Sequence, residues 1–440
     1  MESHPVRFRD PVHGFIHLSR RELKLVESRA FRRLRNIKQL ALTYLVYPGA
    51  MHTRFEHSLG VMELASRAFD ALQAEMKSRA LLDSALKKIN MTVDQARDLL
   101  RVTALLHDVG HLPFSHGGED VLPKKDNGQA TKHVEVSIAI IQGGELSALL
   151  GQEFYPEIVR QIALLLGEGE PPPELLILKK LISGQFDADR MDYLIRDSLH
   201  CGVGYGNFDY LRLLETLRVK ESREGGLELS LDRGGIHTLE AMILARYWMF
   251  TQVYYHKTRR IYDIYLSRYL KAWYKNQYQN LLNVLKHDDL TMMNDILQDA
   301  KGKVGSGDRQ NYARRIVERK HHHVVYETSD QADARHRRET IAIEKRLHEG
   351  HPEIDFILDL KAEGNIHSFF VRGEEEYGDE FPIYNTVSGQ YSGLSEESSI
   401  FEKIPKSFHV IRIYADVPKD GLTELREQAS QIGREERQVI

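Results

Sequence analysis

LLRVTALLHDVGHLPFSH, residues 99–116, decides how this chain is read. Residues 99–106 are the densest apolar run, and Thr92 ahead of them is a natural N-cap. The pattern predicts a helix from 92 to about Val109, stopped by Gly110. His107 and Asp108 close that helix. An imidazole nitrogen and a carboxylate oxygen suit one divalent metal, but a site needs three or four protein ligands. His57 in HTRFEHSLGV (52–61) and Asp189 in FDADRMDYLIRD (186–197) are the further candidates. Taken singly, each has a plainer reading. A histidine at a helix start caps it or lies on the surface, and an aspartate there answers the helix dipole. The order His, His-Asp, Asp within these contexts carries the signal.

The rest of the chain bounds the answer. Hydrophobic residues are 42% and charged residues 28% of 440, which excludes extensive disorder. The net charge of −4 does not support a cationic nucleic-acid coat, so nucleic acid is allowed as a partner but not indicated. The single cysteine, Cys201, makes no internal disulfide and fits a reducing compartment. The charged start MESHPVRFRD lacks an apolar signal segment, and no run reaches membrane-spanning length. The expectation is a cytoplasmic protein without a membrane partner.

The first half reads as helical: 20–40, 56–76 and 92–109, then 133–150, 153–166, 173–183 and 187–199. Residues 117–132 read as a surface loop. A β-hairpin is expected at 217–232 about Gly225-Gly226, followed by long helices over 236–286. Beyond about 300 come strand-like runs at 321–327, 366–372, 381–386 and 408–417. The expected fold is mainly α: a helical core over 1–290 with a small hairpin, then an α+β accessory region over 300–440. His321–His323 alternate faces in a strand, so they read as a solvated strand start rather than a metal tract.

With these residues in view, the chain resembles the HD-domain phosphohydrolases, and within them the deoxynucleoside triphosphate (dNTP) triphosphohydrolase branch. That branch includes the vertebrate SAM- and HD-domain dNTPase and bacterial relatives. The matching text is DPVHGFI (10–16), IKQLALTYLVYPGAMHTRFEHSLGV (37–61), HDVGHLPFSH (107–116), DADRMDYLIRDSLHCGV (187–203) and VYYHK (253–257). The likeness begins near residue 6, so no SAM domain is expected before it.

The resemblance implies a metal held by His57, His107, Asp108 and Asp189. The metal itself stays open among Mn, Fe, Zn, Co, Ni and Mg. It implies that His133 is the catalytic histidine, oriented by Glu119, with His111 beside it. Arg54, His116, Arg190 and the more distant Arg246 would surround the phosphates, since charge builds there in the transition state. If 186–200 is helical, Asp189, Tyr193 and Asp197 share a face at i, i+4 and i+8. By resemblance, Tyr193 packs under a deoxyribose, Asp197 accepts from its 3′-hydroxyl, and Gln39, Leu40 and Tyr254 lie near sugar or base. The plainer alternative makes Tyr193 core filler and Asp197 a salt-bridge partner of Arg196 or a neighbour.

Departures stand beside the matches. Arg190 replaces a lysine, Phe250 a histidine and Glu119 an aspartate. In the activator pocket of the family, Glu27 and Arg32 replace Asp and Gln, while Arg35 matches. The leading expectation is a metal-dependent dNTP triphosphohydrolase, activated by GTP or a dNTP at that pocket and assembled as a homo-oligomer, with a tetramer favoured. The alternative is an HD hydrolase of nucleoside monophosphates, cyclic dinucleotides or single-stranded nucleic acid. A third reading is a nucleotide sensor without turnover, against which the complete ligand set argues.

Overall fold

The computed structural model describes residues 6–125, 128–222, 225–274, 278, 280–302, 307–367 and 381–439. The chain is mainly helical, with three small sheets among the described residues. Packing divides it into two compact units. One is 1–245 with 274–294 and 369–404, and the other is 246–273 with 295–368 and 405–440.

Three helices of the first unit carry the motifs: Arg54–Ala74, Val93–Leu106 and Ala188–Cys201. The first begins where Thr53 N donates to Glu56 Oε1 at 2.6 Å. It is buried around most of its circumference, as a helix enclosed on several sides must be apolar or paired. It packs on both of the others. Gly60 allows its close approach to the third, because a Cβ there would lie 2.0 Å from Asp192 Oδ1. Behind that contact the fully buried Arg196 donates to Asp192 at 2.8 and 2.9 Å and to Asp10 at 2.8 and 3.3 Å. A buried charge is tolerable only when so paired.

The Thr92 cap forms as expected, with Thr92 Oγ1 accepting from Gln95 N at 3.1 Å and Gln95 Oε1 accepting from Thr92 N at 2.9 Å. The helix, however, ends at Leu106 and not near Val109. Ser137 is the reason. Its Oγ donates to the His107 carbonyl at 2.7 Å and accepts from Gly110 N at 2.9 Å. His111 N turns to the Asp108 carbonyl at 3.1 Å instead of the His107 carbonyl. His111 therefore does not continue the helical face that carries His107. Gly110 is required by space, since a Cβ would lie 2.2 Å from Ser137 N and 2.4 Å from the His133 carbonyl.

Other boundaries also shift. Residues 20–36 form short helices Arg20–Val26 and Arg29–Arg33 and a 3-10 turn Leu34–Asn36, because Ser28 caps a fresh start at 3.3 Å from Phe31 N. The helix expected over 133–150 breaks at Gly143 into His133–Gln142 and Gly144–Glu153. The span 236–286 divides into Ile236–Met249, a π turn Phe250–Tyr254, Lys257–Trp273 and a 3-10 helix Leu281–Lys286.

The hairpin pairs Leu217–Glu221 with Leu227–Asp232, as expected. It is widened by Pro382–Asn385, parallel to the second strand, and by Gln390–Gly393, giving a four-stranded sheet. In the second unit, Ser407–Ala415 is the central strand between His323–Glu327 and Phe356–Asn365, antiparallel to both. Helices Ala334–Gly350 and Leu422–Val439 cover this sheet, burying Ile343, Leu347, Leu425 and Ala429 against Val325 and Ile413. Phe356–Asn365 was not expected as a strand. Of the run expected at 366–372, Ile366 and His367 lie just past that strand, and 368–372 fall outside the described residues. His322 is buried, with Nδ1 2.5 Å from Tyr265 Oη and Nε2 3.0 Å from Asp355 Oδ2, which is more than a solvated strand start.

Candidate active site

His57 is fully buried and gripped from behind, its Nδ1 2.8 Å from Asp192 Oδ2. That leaves Nε2 facing Asp189 Oδ1 at 3.0 Å and Asp108 Oδ2 at 3.7 Å. His107 Nδ1 donates to the Ala104 carbonyl at 2.7 Å. Its Nε2 lies 3.3 Å from Asp108 Oδ1 and 3.8 Å from Asp189 Oδ1. Both Nε2 atoms are buried without a hydrogen-bond partner. An unpaired buried polar atom costs about 1–3 kcal/mol, so two aimed at two carboxylates need a reason. A divalent cation supplies one. His57, His107 and Asp108 present ligand atoms within 4.8 Å of one another, and Asp189 closes the group. The donor set fits the group that the sequence implied.

The electrostatics agree with a site for a cation. Burial alone would raise the Asp108 carboxyl, yet Arg54, His107 and His111 hold it well below the usual carboxylate range. Desolvation likewise opposes ionising Asp189, but the contacts of His107 and His57 keep it low. Burial would lower His57, and Asp189 and Asp192 overcome it and push it up to about 10, so ligation through its Nε2 must displace a proton. Asp108, buried, and Asp189, partly exposed, are both kept charged and are ligands already deprotonated.

A second cluster adjoins the first. His111, His116, His133 and Glu119 present ligand-capable atoms within 4.8 Å of one another. Glu119 Oε1 accepts from His133 Nδ1 at 2.6 Å and from His116 Nδ1 at 2.8 Å. The 3-10 helix Ser115–Val121 brings Glu119 there, so part of the expected surface loop is site. The His111 and His133 rings stack at 3.9 Å, and His111 Nε2 is 3.2 Å from Asp108 Oδ1. Burial first, then Arg54 and His133, push His111 well below the ordinary imidazole value, so it is neutral. His133 Nε2 faces Asp108 Oδ1 at 4.0 Å.

The expected phosphate and sugar residues divide. Arg54 is buried and already engaged, with Nη1 2.6 Å from Asp108 Oδ2 and Nε 3.0 Å from Ser115 Oγ. The Arg190 side chain donates to the Gly184 carbonyl. Asp189, Tyr193 and Asp197 do share helix Ala188–Cys201, but Asp197 is buried with Oδ1 2.7 Å from His52 Nε2. Asp197 thus pairs with His52, a neighbour of the kind the plainer reading allowed, while Arg196 goes to Asp192 and Asp10. Gln39 and Leu40 are buried, and Gln39 N donates to the His52 carbonyl at 3.1 Å. Glu27 and Arg32 are exposed, while the exposed Arg35 lies over the Phe55 ring at 3.5 Å. Arg246 and Tyr254 belong to the second unit. There Arg246 Nη2 donates to the Asn365 carbonyl at 2.7 Å, and Tyr254 meets Phe250 edge-on at 5.4 Å.

Sequence reasoning missed Asp192, which grips His57 and also accepts from His13 Nε2 at 2.6 Å. It lies three residues past Asp189 on the same helix, on a neighbouring face, and that offset was the available signal. It also missed Ser137 and His52. His13 and Asp10 stood in a quoted motif without a role.

With that geometry in place, comparison with known proteins is decisive on the family. Residues 54–196 match the HD domain, and residues 208–362 match the HD associated region. The chain belongs to the HD-domain phosphohydrolase family. The His57, His107-Asp108, Asp189 group falls inside the matched HD domain. An uncharacterized protein of Methanocaldococcus jannaschii, MJ1154, is 33% identical over 315 residues, covering 70% of this chain and 59% of that one. The deoxynucleoside triphosphate triphosphohydrolase SAMHD1 of Gallus gallus is 31% identical over 290 residues, covering 59% and 44%. The chain thus spans about half the length of these curated relatives. A crystal structure of a hypothetical protein from Aquifex aeolicus superposes with a TM-score of 0.75 at 29% identity, covering 97% of this chain and all of that one. Among the described residues of this HD-family chain, no single helix is long and apolar enough to cross a membrane.

Proposed function

We propose that this HD-domain phosphohydrolase is a metal-dependent dNTP triphosphohydrolase, converting a dNTP and water to a deoxynucleoside and tripolyphosphate. The observation that carries the reading is the pairing of two clusters across Asp108. The ligand set lies on one side, and the stacked His111 and His133 lie on the other. The likeness to SAMHD1 enzymes supports the substrate.

A divalent ion held by His57, His107, Asp108 and Asp189 supplies polarisation of a phosphoryl oxygen and activation of water. The water oxygen bonds to the α-phosphorus, the bond from that phosphorus to the sugar 5′ oxygen breaks, and tripolyphosphate leaves intact. His133 places a proton on the departing 5′ oxygen from Nε2, because Glu119 holds Nδ1 and fixes the ring. His116, Arg190 and Arg54 take the phosphate charge, with Arg54 acting through the electrostatics of Asp108 as much as by direct contact. Tyr193 packs under the deoxyribose, and Asp197, fixed by His52, meets the 3′-hydroxyl. Activation by GTP or a dNTP at Glu27, Arg32 and Arg35, homo-tetrameric assembly, an accessory role for 300–440 and a cytoplasmic location belong to the same proposal.

Product identity tests it. Purified protein is incubated with the four dNTPs and Mn²⁺ or Mg²⁺, with and without GTP, and products are separated by ion chromatography. Tripolyphosphate with free deoxynucleoside is expected. Pyrophosphate, orthophosphate or no product defeats the reading and moves the search to monophosphates, cyclic dinucleotides and single strands.

A further inference from the structure

Asp289 spends both carboxylate oxygens on backbone amides from segments remote in sequence. Its Oδ1 accepts from Phe114 N at 2.7 Å and its Oδ2 from Lys38 N at 2.9 Å. The Lys38 carbonyl in turn accepts from Ser115 Oγ at 2.8 Å, and the same Oγ accepts from Arg54 Nε at 3.0 Å. Asp289, Lys38 and the Phe114–Ser115 turn thus close a ring of hydrogen bonds inside the first unit. Asp289, Phe114 and Ser115 are all buried.

The turn in that ring is strained. Phe114 and Ser115 both take left-handed backbone, at φ +61° and +55°. A bulky side chain rarely adopts it, so neighbouring contacts must hold the turn there. Amide bonds to a carboxylate are about twice as strong as neutral ones and suit that task. The turn leads directly into the 3-10 helix Ser115–Val121, which carries His116 and Glu119.

A plainer role for Asp289 exists. It opens helix Asp289–Ala300, where an acid answers the dipole. That role does not account for its burial. Burial pushes its carboxyl up to about 6, against the pull of the Phe114 and Lys38 amides and of the Lys38 and Arg33 charges. A carboxyl raised on folding weakens the folded state once it ionises, so the charge does not serve stability.

We propose that Asp289 is a positioning residue, whose carboxylate holds the Phe114–Ser115 turn in its left-handed form and so sets where Glu119 meets His116 and His133. Its consequence for turnover rests on the triphosphohydrolase reading, but the positioning itself does not.

Proton NMR of the full chain, loaded with diamagnetic Zn²⁺ and carrying isotope-labelled histidines, tests it. His116 and His133 each direct Nδ1 to one Glu119 oxygen, so each should give a far-downfield, slowly exchanging N–H resonance. Asp289→Asn keeps the size but offers one oxygen to two amides. Both resonances should be lost, while the thermal midpoint moves by no more than a few degrees. Asp288→Asn removes the neighbouring charge, keeps its own bond from Thr291 N and should retain both resonances. Resonances that survive in Asp289→Asn, or that vanish equally in Asp288→Asn, overturn the inference. Should Asp289→Asn fail to fold, Ser115→Ala opens the same ring from the other side, and resonances unchanged in that variant overturn it too. In Asp289→Asn, kcat for dNTP hydrolysis should fall about tenfold or more, as a misplaced catalytic group does. Lost resonances with unchanged kcat would refute the role given to His133 in the proposed reaction and leave the placement by Asp289 standing.

Discussion

Asp192 shows how much one residue outside the ligand set can decide. It accepts from His13, His57 and Arg196 at once, inside a fully buried pocket. The grip on His57 Nδ1 fixes the tautomer that leaves Nε2 for a metal. Asp192→Asn should lower metal affinity by about 10–100-fold. Metal content after competition with a chelator checks this, and circular dichroism shows whether the helices remain. Normal metal retention would mean that Asp192 serves packing alone. Glu22 gives a pH prediction far from the metal. It pairs with Arg101 at 2.5 and 3.1 Å, and although burial would raise its carboxyl, Arg101 holds it below its ordinary 4.5. A depressed carboxyl contributes stability that is complete above the unfolded value and is lost as pH falls through the folded one. Glu22→Gln should cost about 3 kcal/mol at pH 7. In denaturant titrations the gap to wild type should hold down to about pH 4.5 and narrow below it.

Among the elements, the decisive contact is the turn after Val93–Leu106 against helix His133–Gln142. Ser137 replaces the helical bonds of His107 and Gly110, and Gly110 has no room for a Cβ. Gly110→Ala must push the two apart. The expected cost is about 1–3 kcal/mol, with turnover falling further because His111 and His133 lose register with Asp108. Gly151→Ala is the control. It lies in helix Gly144–Glu153 with nothing within 4 Å of a new Cβ, and should be neutral or stabilising by up to about 1 kcal/mol. Thermal unfolding of the two variants compares them, and equal midpoints would refute the close-packing account. Helix ends were the least legible feature of the sequence for the same reason. The Thr92 start depends on a neighbour three residues away, but the Leu106 stop depends on a serine thirty residues on.

For the whole molecule, metal loading should couple to stability. A cation that binds the folded site and not the unfolded chain stabilises by mass action. Stripping with chelator should abolish hydrolysis and lower the unfolding midpoint by several degrees, and Mn²⁺ added back should restore both. A chelator-treated protein with full activity would dismiss the metal. The two units are each discontinuous in sequence, so no single composition change marks them. One seam does fall at 294/295, near the change in pattern before 300.

The sequence by itself determined the mainly helical class, because periodicity is local in the chain, and its motif order carried the resemblance that implied the family and the four proposed ligands. It also located Glu119 and His133 by resemblance. Only the tertiary structure decided what holds those groups. Asp192 behind His57, Ser137 ending a helix, His52 claiming Asp197 and Arg54 pairing with Asp108 are contacts between segments remote in sequence. Burial makes each of them obligatory, since a polar group taken from water must find its partner wherever the fold brings one.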